Sequence, residues 1–547
     1  MSEETGRELS RRRVLAGSAT VALAGAVTGS VAGALGGVAA AEEVSGRIGK
    51  PTVTPDDPRY AQLITGNNSR WTARPEAIQL VGGTNDVVAA VQGAVRAGKR
   101  ISIRGGGHCF EDFVYHPEVQ VVIDMSRMDR VYWDPAMGAF AVEGGALLLD
   151  VYDRLFKEWG VTLPGGMCYS VGIGGHVSGG GYGLLSRVHG LTVDHLHAVE
   201  VVTVDRSGVA RAVIATRDPN DPNHDLWWAN TGGGGGNFGV ITRYWFRSPG
   251  ATGTTPSDLL VKPPAEVIVS VVQFPWSSID RTAFTRLVHN YGAWHEANGA
   301  PGGANIGLSS FFSLYHRSNG NLVMLTVQDA SVPNAAGLLQ DYLAAITAGT
   351  SVVPSPASAP RRLPWLAATR LLGTSNPVLT NPTLRGAHKS TYMRKNFPAA
   401  HIAALYKHLT RADYANPMAM VTMLSFGGNI NRVRENATAN GQRDSTFKLL
   451  YQVFWTEQAE DPRHIGWLRD LYREVYADTG GVPVSNAVTD GCYVNYPDGD
   501  LRDPAQNTSG VPWSTLYYKG NYPRLRQVKA RWDPRDVFRH SQSIELP

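Results

Sequence analysis

From about residue 74 the chain alternates short apolar runs with amphipathic stretches. Residues 77–81 (Ala-Ile-Gln-Leu-Val) read as a short strand. Residues 84–97 read as a helix with Val87, Val88, Val91 and Val95 on one face, Thr84 as a candidate cap and Gly98 as its stop. Residues 101–104 alternate as a strand and run into Gly105-Gly106-Gly107-His108. Further strands are expected at 119–124, 140–143, 199–204 and 240–246. A helix is expected at 147–159, facing inward with Leu148, Val151, Leu155 and Trp159. This pattern predicts an α+β or α/β layout for residues 45–250.

After a Gly/Thr/Pro run at 249–256 the texture changes. Longer strands are expected at 267–274, 307–315, 321–328, 419–426 and 449–455. Helices around 280–297, 335–347, 398–412 and 462–478 separate them. The expectation is an antiparallel sheet covered by helices. A Pro/Ser/Ala stretch at 349–364 reads as a loop, and 521–531 as a basic helix closed by Trp532-Asp533-Pro534. No internal repeat is visible.

Composition narrows the class. At 547 residues, 43% apolar and 18% charged, the chain is a folded protein of more than one domain. Its net charge is only +4 and no basic run follows the first 13 residues, so charge offers no case for a nucleic-acid partner. Three cysteines without a CxxC pair exclude a disulfide scaffold and a Cys-rich zinc site. The 15 histidines are scattered and no HExxH occurs, so no metal is expected.

Residues 1–41 read as an address. Ser10-Arg11-Arg12-Arg13-Val14-Leu15 precedes a weakly apolar Ala/Gly/Val run, and Ala39-Ala40-Ala41 offers a cleavage site. This is the layout of a twin-arginine signal, which would export an already folded, cofactor-loaded protein. The alternative is a membrane anchor, but the Gly, Ser and Thr content makes a poor spanning helix. No other stretch is long and apolar enough to span, so no stable membrane insertion is expected after signal removal.

The densest chemical signal is LPGGMCYSVGIGGHVSGGGYG at 163–183, where nine of 21 residues are glycine. Such a run weakens a helix or strand and suits a loop whose backbone approaches a flat or phosphorylated ligand. The plainer reading, a flexible linker, fits poorly with the interleaved Val171, Ile173, Val177 and Tyr182. A second loop, Thr231 followed by five glycines, Asn237, Phe238 and Gly239, directly precedes a strand. Neither loop is GxxxxGK[ST], so there is no nucleotide-hydrolase signature.

In order, Arg104-Gly-Gly-Gly-His108, GGMC ending at Cys168, GGHVSGGGYG, GGNFGV and the tail from Asn521-Tyr522-Pro523-Arg524-Leu525 to Gln542-Ser543-Ile544 resemble the berberine bridge enzyme group. That group of FAD-linked oxidases belongs to the vanillyl-alcohol-oxidase, or PCMH-type, flavoproteins. The likeness spans nearly the whole chain after the signal and is close to actinobacterial members. It implies a PCMH-type two-part FAD-binding domain, 45–250 plus a tail at 497–547, around a substrate-binding domain at 251–496. It implies bicovalent FAD, with His108 on the 8α-methyl carbon and Cys168 on ring carbon 6. Imidazole nitrogen and thiolate are suitable nucleophiles for an electron-poor ring. Arg104, Gly105, Gly106, Gly107, Gly165, Gly166, Val171, Gly172, Gly175 and His176 are the implied cofactor residues of the first two loops. Gly179, Gly180, Gly236, Gly239, Val240 and Asn521 complete that set. Cys109 and Cys492 read as plain thiols, although a Cys109–Cys168 disulfide is conceivable.

The resemblance also implies the chemistry. An alcohol would be oxidised by hydride transfer to flavin N5, with O2 reduced to H2O2. Tyr496, in Tyr493-Val494-Asn495-Tyr496, is the implied base, and its phenol needs a cation or hydrogen bonds to act near neutral pH. Tyr493 would point elsewhere in an extended segment and play a supporting part, while Tyr182 would line the site from the flavin side. Phe426, in Ser425-Phe426-Gly427-Gly428, stands where relatives often carry another polar or phenolic group, and it has no hydroxyl. Val171 accompanies oxidases, whereas a bulkier residue there accompanies dehydrogenases. A dehydrogenase using another acceptor, or a flavin-binding carrier without turnover, remains the alternative. The expected partners are a sugar, glycosylated or polycyclic natural product and O2.

Overall fold

The computed structural model describes residues 48–547, so the twin-arginine stretch lies outside the described residues. Two sheets form the first lobe. The smaller has the order β1 (Thr52–Val53), β2 (Ala77–Leu80), β4 (Val121–Asp124), β3 (Ile101–Arg104). β2, β4 and β3 run parallel, and β1 pairs antiparallel with β2. The larger is antiparallel, ordered β5 (Val131–Asp134), β6 (Ala139–Glu143), β9 (Val240–Phe246), β7 (Leu196–Val204), β8 (Ala210–Thr216).

The helix Thr84–Arg96 is fixed by its apolar stripe. Val87, Val91 and Ala94 are buried at helical spacing and pack with Ile101, Val121, Ile123 and Val202. Gly83, not Thr84, is its N-cap residue; Thr84 lies in the first turn and donates to Glu200 Oε1 at 2.6 Å. Phe538 from the C-terminal segment joins the same cluster. The helix Tyr522–Trp532 sends Lys529 into the interior. Its ammonium, fully buried, donates to Asp533 and to the carbonyls of Asn237 (2.9 Å) and Phe538 (2.6 Å).

The second lobe is an antiparallel sheet ordered β13 (Ser355–Pro356), β10 (Glu266–Pro275), β12 (Asn321–Asp329), β11 (Leu308–Tyr315), β16 (Ala419–Ser425), β17 (Phe447–Trp455), β15 (Arg385–Met393), with β14 (Arg361–Pro364) also on β10. Helices Arg281–Ala297, Ala335–Thr347, Ala399–Thr410 and Asp461–Val475 accompany it. The architecture is the α+β, PCMH-type arrangement that the motifs imply, with a helix-covered antiparallel sheet in the substrate-side lobe.

Several elements are not among those expected, including β1, β5, β8 and the helix Trp365–Thr374. The 349–364 stretch carries β13 and β14, where prolines are tolerated because these are edge strands. The glycine run contains a short helix, Ile173–Ser178, anchored by buried Ile173 and Val177 one turn apart. β15 is absent from the expected strands. It is buried along almost its whole length, so its polar residues His388, Lys389, Ser390 and Thr391 break the two-residue alternation that marks a half-exposed strand.

Candidate functional site

The site begins where two glycine loops touch. β3 delivers Gly105–Gly107 and His108, and the 163–183 run delivers Cys168. A Cβ added to Gly106 would lie 2.3 Å from Gly172 N and 2.5 Å from Ser170 O; one added to Gly172 would lie 2.3 Å from Gly106 N. Only glycine permits this backbone contact, which sets the two loops against one another. Across it, His108 Nε2 lies 2.7 Å from Ser170 Oγ. Burial lowers the His108 pKa to about 4, so its imidazole is neutral. Burial raises Cys168, while the N–H groups of Ser170 and Val171 and the Ser170 hydroxyl favour the thiolate. Cys109, Cys168 and Cys492 are all free, so Cys109 and Cys168 are not bridged.

These loops wall a cavity of about 520 Å³, within the range of cofactor and ligand sites. His108, Cys168 and Gly105–Gly107 are on its wall, as are Gly166, Val171, Gly172, Gly175 and His176. Gly236, Gly239 and the three tyrosines Tyr182, Tyr493 and Tyr496 are there too. Other expected cofactor residues sit behind it. Arg104 is ion-paired with Asp124 beneath the Gly107 turn. Gly165, Gly179 and Gly180 press on Tyr152, Asn495 and Asn440. Val240 packs with Val202 in the core. Asn521 donates to the carbonyls of Glu435 (3.0 Å) and Thr438 (3.3 Å), tying the tail to a loop of the other lobe. These residues shape the wall without forming it.

The tyrosines differ from their expected arrangement. The segment does not run extended: Tyr496 N donates to Tyr493 O at 2.9 Å, and this turn brings the two rings to 4.9 Å, edge to face. Tyr493 OH accepts from Asn495 Nδ2 at 3.0 Å. Tyr182 commits its hydroxyl proton to Ser425 O, so it lines the site with its ring rather than offering a free acid or base. Phe426 packs against Tyr182 and Tyr392 and supplies no hydroxyl. Tyr496 is half-buried, and burial followed by its neighbour Tyr493 raises its pKa above that of a free phenol.

Lys448 supplies what the sequence reading lacked. β17 pairing sets it opposite Leu424 on β16 and Tyr392 on β15. Its side-chain nitrogen is 3.7 Å from the centre of the Tyr182 ring, 4.2 Å from that of Tyr493 and 4.8 Å from that of Tyr496. It has no hydrogen-bond partner among the described residues, and burial pushes its pKa well below that of a free lysine. A lysine inside the otherwise apolar Phe447-Lys448-Leu449-Leu450 run was the visible signal.

β15 holds the tyrosine segment from below. Ser390 Oγ accepts from Tyr493 N at 3.0 Å. Lys389 Nζ donates to Asp498 at 2.8 and 2.9 Å and to Asp500 at 2.8 Å, just past Tyr496. His388 stacks on Phe110 at 3.7 Å, and Phe110 stacks on Tyr496 at 5.7 Å. The opposite wall is the face of the large sheet. Phe311, Leu325, Leu424 and Leu450 make it apolar, and Ser313, Thr422 and Gln452 give it polar points. Ser313 and Thr422 hydroxyls bond each other at 3.0 Å.

The donor set fits FAD. Backbone glycines at 105–107 and 234–236 leave room for a flat, phosphorylated group, and His540 Nε2 is a buried polar atom on the wall without a partner among the described residues. A neutral imidazole and a thiol stand together at the loop crossing. Fold and site together define a flavin-linked oxidoreductase. Residues 75–210 match a family model described as FAD binding domain, and residues 492–545 one described as Berberine and berberine like. The chain is 50% identical over 492 residues to aclacinomycin-N/aclacinomycin-A oxidase of Streptomyces galilaeus, covering 90% of this chain and 89% of that protein. It is 34% identical to hexose oxidase of Chondrus crispus over 559 residues, covering 90% and 94%. The crystal structure of CrmK, a flavoenzyme of caerulomycin biosynthesis, superposes with a TM-score of 0.88 at 48% identity over 91% of this chain and 99% of that one. GilR in complex with pregilvocarcin gives 0.87 at 42% identity over 90% and 100%. The chain belongs to the berberine-bridge-enzyme-like family of FAD-linked oxidoreductases.

Proposed function

We propose that this protein is an oxidase that acts on a hydroxyl group of a glycosylated or polycyclic natural product, with FAD attached through both His108 and Cys168. The observation that carries it is a half-buried Tyr496 that shares one cavity with an apolar sheet face, with the buried Lys448 nitrogen 4.8 Å from its ring centroid. FAD, when bound, supplies a two-electron acceptor that O2 regenerates with release of H2O2. Relatives support the substrate class: one is named for aclacinomycins, one for hexoses, and one structure contains pregilvocarcin.

The chain's own residues account for the proton. In the resting site burial favours a neutral phenol at Tyr496 and a neutral amine at Lys448. Moving one proton from phenol to amine creates a phenolate beside an ammonium, with no change in net charge. For charges about 5 Å apart the attraction is about 3 kcal/mol at an effective dielectric of ~20, which offsets part of the desolvation cost. The phenolate then accepts the substrate's hydroxyl proton as the adjacent C–H bond is oxidised. The Asp498–Lys389 tie and the Ser390–Tyr493 bond hold the tyrosine segment in place.

The apolar rows of the sheet favour a substrate with a flat apolar ring system, its hydroxyls meeting Ser313, Thr422 or Gln452. Val171, on the cavity wall, supports the choice of O2 as acceptor. Export through the twin-arginine route would place the enzyme outside the membrane. The test is peroxide release across free sugars, glycosylated polyketides and aglycones, with acid precipitation of the protein. Release with no member of the panel, or flavin recovered wholly in the acid supernatant, counts against the reading.

A further inference from the structure

The two proposed attachment residues share a third group. Ser170 follows Cys168 by two positions, so it belongs to the cysteine's loop by sequence. It belongs to the histidine's loop by packing. Its carbonyl lies where a Cβ on Gly106 would fall, at 2.5 Å, and its hydroxyl meets His108 Nε2 at 2.7 Å. Neither the cofactor motif nor the tyrosine chemistry uses this hydroxyl.

A hydroxyl offers one proton and two lone pairs, so it can serve both neighbours at once. His108 is half-buried and neutral, and a neutral imidazole carries one proton. With Nε2–H donating to Ser170 Oγ, the lone pair is on Nδ1, which makes no hydrogen bond among the described residues. The hydroxyl proton is then free to face the Cys168 sulfur.

We propose that Ser170 is the positioning residue for flavin attachment, selecting Nδ1 of His108 as the nucleophile and orienting Cys168 beside it. The proposal rests on the bicovalent reading. At His108 a Nδ1–C bond forms at the 8α carbon, one C–H proton and the Nε2 proton leave, and two electrons stay on the ring. At Cys168 an S–C bond forms at ring carbon 6, the S–H and C–H protons leave, and again two electrons stay. Each pair is removed by one O2 with two protons, giving one H2O2 per bond. Ser170 accepts from Nε2–H while charge builds on the imidazole. Once that proton has left, the same hydroxyl turns and donates to Nε2.

The test compares Ser170→Ala, Ser170→Thr and Ser170→Val with the unmodified holoenzyme. Freshly purified protein is digested over a time course, and the flavin-bearing His108 and Cys168 peptides are quantified by mass. Loss of one charge-assisted hydrogen bond should slow attachment at His108 about tenfold in Ser170→Ala. Ser170→Thr, which keeps the hydroxyl, should attach at close to the unmodified rate. Valine and threonine have the same shape, so a folding defect would affect both alike, and the difference between them reads the hydroxyl alone. Equal attachment in the Val and Thr variants would overturn the role of Ser170 while leaving bicovalent FAD standing. Flavin absent from both peptides of the unmodified protein would overturn the two claims together.

Discussion

One cavity has two walls of different construction. The wall toward the proposed FAD is largely backbone: around His108 and Cys168, Gly105–Gly107, Gly172 and Gly234–Gly236 present peptide groups and no side chains. The wall toward the proposed substrate is side chain. Phe311, Ser313, Thr422, Leu424, Leu450 and Gln452 project from three strands brought into register from distant parts of the chain. A backbone wall suits a ligand of fixed chemistry, because changing it requires moving the main chain. A side-chain wall can be rewritten one residue at a time on an unchanged sheet, which is how one scaffold accommodates different substrates. The two walls should therefore answer mutation differently.

The largest effect is expected at the loop crossing. Gly172 has φ near −74°, a conformation valine adopts freely, so Gly172→Val tests crowding alone. Its Cβ would meet Gly106 N at 2.3 Å, a backbone atom that cannot swing aside. The expected outcome is loss of bound flavin, read from the visible spectrum, with destabilisation of about 3 kcal/mol in thermal melting. Normal flavin content in this variant would show that the backbone wall is more yielding than its contacts imply. Next comes Tyr496→Phe, which removes one hydroxyl and little volume. Flavin content should stay normal, while the rate of flavin reduction in stopped flow falls ~10²–10⁴-fold. An unchanged rate would move the base elsewhere.

The two walls were also unequally legible from the sequence. The backbone wall is written in consecutive residues, since a glycine run beside His108 or around Cys168 states its own requirement. The strands that carry it, 77–80, 101–104 and 240–246, follow from local alternation. The other wall depends on pairings that no local pattern records. Lys448 acquires its place only because β17 lies between β16 and β15, setting it against Leu424 and Tyr392. β15 itself is hidden because His388, Lys389 and Ser390 are polar yet buried, their partners lying far along the chain at Phe110, Asp498 and Tyr493. Ser170 was in plain view inside the densest motif. Its role needed the fold, because the partner is 62 residues away. Arg104 shows the converse. A charged residue beside a glycine loop invites a ligand role, but Asp124 on the neighbouring strand takes it.

Lys448→Met sharpens the contrast because it should separate activity from stability. Removing the cation leaves the Tyr496 phenolate uncompensated, so the reduction rate should fall about 10- to 100-fold with flavin content unchanged. The rising limb of the rate against pH should also move to higher pH. Stability should move the other way. The Lys448 pKa is depressed in the fold, so the unfolded chain binds more protons and wild-type stability rises with pH up to the unfolded lysine value. At pH 7 the methionine variant should therefore melt above wild type, and the gap should close as pH approaches ~10.5. A methionine variant that melts lower at pH 7 would mean that the cage of rings stabilises the ammonium more than burial costs it.

The smallest effect is expected on the sheet wall, and it is the most informative about substrate. Thr422 and Ser313 bond each other at 3.0 Å on the cavity face, two strands joined in register. Thr422→Val keeps the shape and removes one hydroxyl, so the sheet should lose about 1 kcal/mol and remain folded. Ser313 then keeps its own proton for a ligand but loses its partner. If the pair receives a substrate hydroxyl during binding, KM should rise ~5- to 10-fold with kcat and flavin content unchanged, the signature of a contact made equally in ground and transition states. A fall in kcat with unchanged KM would place the pair in the chemical step beside Tyr496. No change in either constant would leave it as a structural bond between β11 and β16, and the polar contact would then be sought at Gln452, on the neighbouring strand of the same face.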